Sequence, residues 1–298
     1  MVGFICSPPF PSSYPPSSKT SEGHGKATKD TALKLRRTSL DSSVAERFLG
    51  KKEVLGSIPS PGSMKDFKKI LVFSAHPDDL DFGCAGTVAK LTSEGKEVVY
   101  CIITDGRKGV QKKEHFGMEG KKISAIRERE QRAAAKTVGV NKVIFLKEKD
   151  GELENTKNVR EKIAKAIRIE KPDLVLAFDP ASCTFENFYR CHRDQRMGAE
   201  AVFDAVYPGA GSPVFFPSLA KAGIAPHQIK GIWFYATEKP NIFIDISKTI
   251  ERKIAALTCH DSQFKDIGEV PKFIKLRAKE AGKKKGMKYA ETFRELML

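Results

Sequence analysis

From Lys69 onward, short runs of apolar residues alternate with longer segments in which apolar and polar residues recur at helical spacing. The short runs contain few polar residues, which is typical of strands buried on both faces of a parallel sheet. The pattern predicts strands at Ile70–Phe73, Val98–Ile103, Lys142–Leu146, Leu174–Phe178, Gly231–Tyr235 and Ile242–Ile246.

The longer segments predict helices, and glycine or proline marks the end of several of them. Gly95 and Gly139 follow the first two helices, and Pro172 follows the third. Glycine stops a helix because it adopts the left-handed conformation, and proline cannot continue one. The predicted helices run from about Gly86 to Glu94, Ile123 to Val138, Val159 to Glu170, Gln195 to Val206, and from a cap at Ser247 to about Cys259. Residues 264–298 predict one more helix plus a tail.

Regular alternation of strand and helix indicates an α/β fold. We expect a Rossmann-like, mostly parallel sheet that helices cover on both faces, forming a single domain over residues 64–298. In such sheets ligands bind outside the carboxyl ends of the strands. Polar residues that directly follow a strand are therefore the candidates for chemistry.

Residues 1–63 have a different composition from the rest of the chain. They are rich in Ser, Pro, Gly and Lys and lack apolar periodicity, which predicts disorder. The stretch from Ser43 to Pro59 resembles the conceptual translation of a transfer-RNA gene, and Met64 stands shortly before the first strand. We interpret residues 1–63 as a disordered leader and gene-model artefact. A genuine disordered tail or targeting peptide is the alternative.

The chain of 298 residues carries a formal net charge of +15. Such a charge is compatible with nucleic acid, an anionic membrane surface or acidic substrates as partners. The lysines are spread over many segments, and neither an RNA-binding aromatic signature nor a Cys/His finger accompanies them. We therefore expect a solvated, lysine-rich surface and no nucleic-acid partner.

The six cysteines are scattered and include no CxxC pair. This pattern fits a reducing cytoplasm better than a disulfide framework, so we expect a cytoplasmic protein. No apolar run reaches the roughly 18 residues that a transmembrane helix needs, and no membrane span is predicted.

The first predicted strand ends in Ala75-His76-Pro77-Asp78-Asp79. Imidazole and carboxylate groups bind zinc and similar divalent ions. His76 and Asp79 are spaced so that both can face one ion, which leaves Asp78 as a general base for a water molecule. The alternative is an ordinary solvated turn, since Asp and Pro are common turn residues.

A second polar cluster, Cys191-His192-Arg193-Asp194-Gln195, lies between the fourth strand and the following helix. A parallel sheet would bring this cluster to the same edge as His76. His192 and Asp194 suggest an acid and its orienting carboxylate, in which the carboxylate raises the pKa of the imidazole.

From about Lys68 to Gln263 the chain resembles the PIG-L/LmbE-like family of zinc-dependent N-acetylglucosaminyl deacetylases. The resemblance rests on the two clusters above, on Thr104-Asp105-Gly106 after strand two, and on the segment Ile126-Arg127-Glu128-Arg129-Glu130-Gln131-Arg132. It implies that His76 and Asp79 bind the metal and that Asp78 is the general base. It also implies that His192 is a general acid or oxyanion stabiliser oriented by Asp194, and that Arg127 contacts substrate.

The sequence departs from the family pattern at one position. Where the family has its third metal ligand, a histidine, this chain has Gln195. An amide oxygen is a neutral and weaker partner for zinc than an imidazole.

The resemblance implies a carbon–nitrogen hydrolase for linear amides. It would use zinc or another divalent ion to remove an acetyl group from an N-acetylglucosamine-type sugar or conjugate. Because of Gln195, the alternative is a catalytically weak relative that binds such a conjugate. A nucleic-acid-binding protein is a third hypothesis. The sequence leaves open whether the chain forms a homo-oligomer.

Overall fold

The strands form one sheet, in the order β3-β2-β1-β4-β5-β7-β6, in the computed structural model, which describes residues 67–182, 185 and 192–297. The strands are β1 (Lys69–Ser74), β2 (Glu97–Thr104), β3 (Lys142–Glu148), β4 (Leu174–Phe178), β5 (Gly231–Tyr235), β6 (Ile242–Asp245) and β7 (Ala290–Met297). Strands β1 to β5 are parallel to one another, and β7 runs antiparallel to both β5 and β6. The predicted α/β fold with a mostly parallel sheet is confirmed.

Helices cover both faces of this sheet. They are α1 (Asp79–Ser93), α2 (Gly120–Thr137), α3 (Lys157–Glu170), α4 (Arg193–Asp204), α5 (Pro217–Lys221), α6 (Ile250–Thr258) and α7 (Val270–Lys283). Apolar residues of α1, α2, α6 and α7 pack in one cluster, and those of α3, α4 and α5 pack in another.

The apolar strands have the two-sided burial that their sequences predict. In β1, Ile70 and Val72 belong to the cluster on the α1 side, and Leu71 and Phe73 belong to the cluster on the α3 side. All four are at most 1% exposed. At about 25 cal/mol per Å² of apolar surface removed from water, burial on both faces is the main contribution that holds β1 in the centre.

The structure differs from the prediction at the start of α1 and at the end of the chain. Helix α1 begins at Asp79 rather than near Gly86, so the motif after β1 leads directly into this helix, with Asp78 at the N-cap position. The predicted tail is wrong for residues 290–297, which form β7 between β5 and β6. Its charged residues resemble a solvated surface in the sequence, but Glu291 and Glu295 are buried.

A buried ion pair between α6 and β7 contacts the backbone of α1. The carboxylate of Glu291 on β7 accepts hydrogen bonds from the backbone amides of Gly86 (3.0 Å) and Thr87 (2.7 Å). Lys253 on α6 pairs with Glu291 and donates to the carbonyl of Phe82 over 2.6 Å. Both charged residues are about 5% exposed, so α6 and β7 hold α1 through its backbone.

No helix in the described part of the chain is long and apolar enough to cross a membrane. The predictions for residues 1–63 concern a segment outside the described residues.

Candidate active site

The site lies where the order of strands reverses. The chain passes from β1 outward to β2 and β3, and then returns to the other side of β1 for β4 and β5. A crevice forms at such a switch point, outside the carboxyl ends of the strands. His76 follows β1, Asp150 follows β3, and Asp194 lies in the first turn of α4, after β4.

His76 is surrounded by carboxylates. Its Nε2 atom lies 3.2 Å from Oδ1 of Asp150 and 3.3 Å from Oδ2 of Asp194. Its Nδ1 atom lies 3.3 Å from Oδ2 of Asp79. Burial opposes the charged imidazolium, but the charge of Asp79 and the contacts with Asp150 and Asp194 outweigh it and hold the pKa of His76 well above its usual value.

The ligand atoms of His76, Asp150 and Asp194 lie within 4.8 Å of one another, close enough for all three residues to hold one metal ion. The buried carboxylates of the site outnumber its buried cations, even if a protonated His76 is counted together with Arg127. The carboxylates are those of Asp78, Asp79, Asp150 and Asp194. Oδ1 of Asp194 makes no hydrogen bond within the described chain, and Nδ1 of His76 makes none either, although it lies near the carboxylate of Asp79. Such an excess of buried negative charge, together with an oxygen and a nitrogen atom that are free to bind a metal, fits a divalent cation.

Asp78 has an unusual backbone for a residue with a side chain. It occupies the N-cap position of α1 with a φ of 89°, and its carboxylate makes no capping hydrogen bond. Such a conformation costs about 1–3 kcal/mol and is concentrated at functional sites. Burial raises the pKa of the Asp78 carboxyl to about 6, although the nearby charge of Arg127 opposes this increase.

Arg127 on α2 connects Asp78 to the loop after β2. Its Nη2 atom donates to the carbonyl of Pro77 (2.7 Å) and lies 3.3 Å from Oδ2 of Asp78. Its Nη1 atom donates to the carbonyl of Gly106 over 2.9 Å. A Cβ atom at Gly109 would lie only 2.2 Å from Nη1, so this loop must lack a side chain for the guanidinium to fit.

Asp194, the predicted partner of His192, makes its hydrogen bonds to other residues of the described chain. Oδ2 of Asp194 contacts His76 and accepts a hydrogen bond from the amide of Gly151. Nδ1 of His192 has no hydrogen-bond partner within the described chain. The His192 ring packs edge-on against that of His76, with centroids 4.8 Å apart. Burial, together with the positive charge of His76, lowers the pKa of His192 and outweighs the charges of Asp79 and Asp194, which act to raise it.

Gln195 faces Asp79 across the site. Its Nε2 atom donates to Oδ1 of Asp79 over 2.7 Å, and Gln195 is 5% exposed. The side chain therefore points inward from α4, toward the same carboxylate that contacts His76.

Two residues of the site were not predicted from the sequence. Asp150 directly contacts His76, and Gln131 accepts a hydrogen bond from the backbone of Asp78. Asp150 follows the third predicted strand. Because the carboxyl ends of parallel strands meet at one edge of the sheet, its position in the sequence could have identified it as a site residue. Gln131 lies inside a charged helical segment, where the sequence gives no sign of burial.

Residues 71–206 match the model of a protein family described as GlcNAc-PI de-N-acetylase, PIG-L. The chain is 39% identical, over 231 residues, to diacetylchitobiose deacetylase of Thermococcus kodakarensis, covering 77% of this chain and 83% of that protein. It is 26% identical to a probable N-acetyl-alpha-D-glucosaminyl L-malate deacetylase 2 of Bacillus anthracis, covering 67% of this chain and 84% of the other.

A solved structure has the same fold. The N,N'-diacetylchitobiose deacetylase of Pyrococcus horikoshii, complexed with an inhibitor, superposes with a TM-score of 0.74 at 32% identity. The match covers 88% of this chain and 95% of that protein. The similarity therefore extends beyond the segment matched by the family model.

Proposed function

Because the chain belongs to the PIG-L family of deacetylases, we propose that it hydrolyses the acetamide of an N-acetylglucosamine-type sugar or conjugate to acetate and a free amine. The observation that carries the proposal is the cluster at the switch point, where His76 is enclosed by buried carboxylates beside a strained Asp78. Among such substrates we favour a short N-acetylated oligosaccharide, since two similar proteins are named diacetylchitobiose deacetylases.

We propose a divalent metal ion, zinc in the first instance, held by His76, Asp79 and Gln195. The inward orientation of Gln195 supports its position in this set. Rotating its amide would present Oε1 instead of Nε2 to an ion near Asp79. In this arrangement Asp150 and Asp194 hold the imidazole of His76 in place, as carboxylates beside metal-binding histidines often do.

The ion, when bound, would supply a Lewis acid that makes water easier to deprotonate and polarises the acetamide carbonyl. Asp78 takes the proton from the attacking water. With its pKa raised to about 6, this carboxylate is mostly ionised at neutral pH and a stronger base than an exposed aspartate. The protonated carboxyl then returns the proton to the leaving nitrogen.

His192 and Arg127 have supporting roles in this proposal. The neutral imidazole of His192 still carries one N–H group, which can donate to the acetamide oxygen as negative charge develops there. Arg127 fixes Pro77 and contacts the carboxylate of Asp78, so it holds the base as well as the loop that faces the substrate.

The alternative is a relative that binds a sugar conjugate without hydrolysing it, because Gln195 weakens the metal site. Acetate release from N-acetylglucosamine and its β-linked dimer distinguishes the two hypotheses, provided that the metal content of the same protein is measured. We expect acetate release that a chelator abolishes and added zinc restores. Binding of the sugar without acetate release, in metal-loaded protein, would favour the alternative.

Cellular location and assembly complete the proposal. We propose a cytoplasmic location, which the free thiols of Cys84, Cys101 and Cys259 support.

We also propose contact between copies of the chain at the loop after α4, where Tyr207 and Val214 are 64% and 77% exposed. Sedimentation of the full-length chain tests this association.

A further inference from the structure

The backbone amide of Asp78 has a dedicated, buried acceptor. An aspartate at an N-cap position normally uses its side chain to accept from the first amides of the helix. Asp78 does not, and its φ of 89° is rare for a residue with a side chain. Instead, its amide donates to Oε1 of Gln131 on α2 over 2.8 Å.

Asp81 sets the orientation of the Gln131 amide group. Its Nε2 atom donates to Oδ2 of Asp81 over 2.8 Å, and Oδ2 of Asp81 also lies 2.8 Å from Nε2 of His260. A carboxylate only accepts hydrogen bonds, so the amide nitrogen of Gln131 must face Asp81 and its oxygen must face Asp78. Gln131, Asp81 and His260 are all 0% exposed.

Gln131 and Arg127 lie one turn apart on the same face of α2. Arg127 holds the carbonyl of Pro77 and contacts the carboxylate of Asp78, while Gln131 holds the amide of Asp78. Together, the two side chains hold the carbonyl and the amide of the peptide group between Pro77 and Asp78, directly before the Cα atom of the strained residue. Water cannot replace the contact of Gln131 without entering a fully buried space.

We propose that Gln131 is a positioning residue for this reaction, and that Asp81 and His260 keep its amide in the working orientation. The hydrogen bond to Gln131 keeps Asp78 in the conformation that frees its carboxylate from helix capping and aims it at the site. This inference rests on the role of Asp78 in the proposed function, so its test includes a measurement that does not depend on activity.

The first experiment compares Gln131→Leu with Val138→Ala in the full-length chain. Val138 is a buried apolar residue directly after the same helix, so its truncation is a control for general destabilisation. Amide hydrogen exchange at residue 78, resolved by NMR, should accelerate at least about tenfold in Gln131→Leu because the amide loses its buried acceptor. Val138→Ala should leave this exchange within about twofold of wild type.

Acetate-release kinetics of the same variants give the second measurement. We expect kcat of Gln131→Leu to fall at least about tenfold, with KM within about threefold of wild type and unchanged metal content. A misplaced base slows the reaction step, whereas the groups that bind the sugar and the metal remain. Val138→Ala should retain kcat.

A polarity exchange tests the proposed orientation. In Gln131→Glu/Asp81→Asn, a carboxylate at position 131 accepts from the Asp78 amide, and an amide at position 81 donates to that carboxylate. The single variant Gln131→Glu brings two carboxylates together and should lose activity. The double variant should recover kcat to within about threefold of wild type. It also serves as the test if Gln131→Leu does not fold.

Unchanged exchange at residue 78 in Gln131→Leu would overturn the proposal, as would a loss of kcat no greater than in Val138→Ala. Failure of the double variant to recover activity, despite native stability, would overturn the role of Asp81. If wild type releases no acetate from any substrate, the proposed function fails. The exchange measurement then still decides whether Gln131 holds Asp78.

Discussion

Gln195 donates a hydrogen bond from Nε2 to Oδ1 of Asp79 over 2.7 Å, across the gap between the first turn of α4 and the first turn of α1. The side chain that replaces a histidine of the family pattern thus still reaches the predicted metal ligand. If the ion binds as proposed, the residue at position 195 influences how firmly it is held.

Replacing Gln195 by histidine should increase zinc affinity. Imidazole is a stronger zinc ligand than a neutral amide, and even residues outside the direct ligand set contribute about 10- to 100-fold to affinity. We therefore expect Gln195→His to bind zinc at least about tenfold more tightly, measured by competition with a chelator. Gln228→His, at an exposed position, controls for an added surface histidine. Equal affinities of wild type and Gln195→His would show that position 195 does not face the ion.

Asp78→Asn should retain the fold and the metal but lose most activity. Asparagine has nearly the same shape as aspartate but cannot take a proton, and a general base contributes about 10²- to 10⁴-fold to rate. The measurement is kcat for acetate release at saturating zinc, with Asp245→Asn, at the end of β6, as the control. Turnover within a few-fold of wild type would exclude Asp78 as the base.

Breaking the ion pair between Lys253 and Glu291 should destabilise the fold. Lys253→Met leaves the carboxylate of Glu291 buried without its counter-charge, which typically costs about 3–5 kcal/mol in the free energy of unfolding. Lys253→Met/Glu291→Leu should recover only part of the loss, because the amides of Gly86 and Thr87 then lose their acceptor. Urea denaturation gives these values.

A matched control for that pair is Lys275→Met. Lys275 pairs with Glu251 in solvent, where ion pairs contribute little, so its replacement should hardly change the urea midpoint. A comparable loss in Lys253→Met and Lys275→Met would contradict the role assigned to the buried pair.

The carboxylate of Asp179 should make stability depend on pH. Burial acts against its ionisation, but hydrogen bonds from Arg294 and Thr237 outweigh burial and lower the pKa of Asp179 in the folded protein. A lowered folded-state pKa stabilises the protein above the unfolded value of about 3.9, and this stabilisation is lost as the pH falls through the folded-state pKa. The gap in unfolding free energy between wild type and Asp179→Asn should therefore be largest near neutral pH and should narrow below about pH 4.

The same pH series in an Arg294→Gln background isolates the pair. Both Nε and Nη2 of Arg294 donate to the carboxylate of Asp179, so the effect of Asp179→Asn should be smaller once Arg294 is replaced. If Asp179→Asn changes the free energy of unfolding equally with and without Arg294, the pH dependence arises from other groups.

Features that depend on residues close together in the chain could be predicted from the amino-acid sequence. Continuous apolar runs identified β1, β2 and β4 because strands buried on both faces need no polar side chains. The motif from His76 to Asp79 was recognisable because it directly follows such a strand, at the edge where α/β sheets bind ligands. The fold class followed from these local patterns and the family from the resemblance, and both are confirmed.

Features that depend on contacts between distant segments of the chain became visible only in the folded protein. In the sequence, the charged residues of β7 resemble a solvated tail. In the structure, Lys253, Trp233 and other buried residues bind them. Asp194 contacts His76 rather than His192, and Gln131 becomes an acceptor for Asp78, because helix packing sets which side chains meet. Burial makes a charged or polar side chain dependent on its partner, and sequence spacing alone does not identify a partner more than 50 residues away.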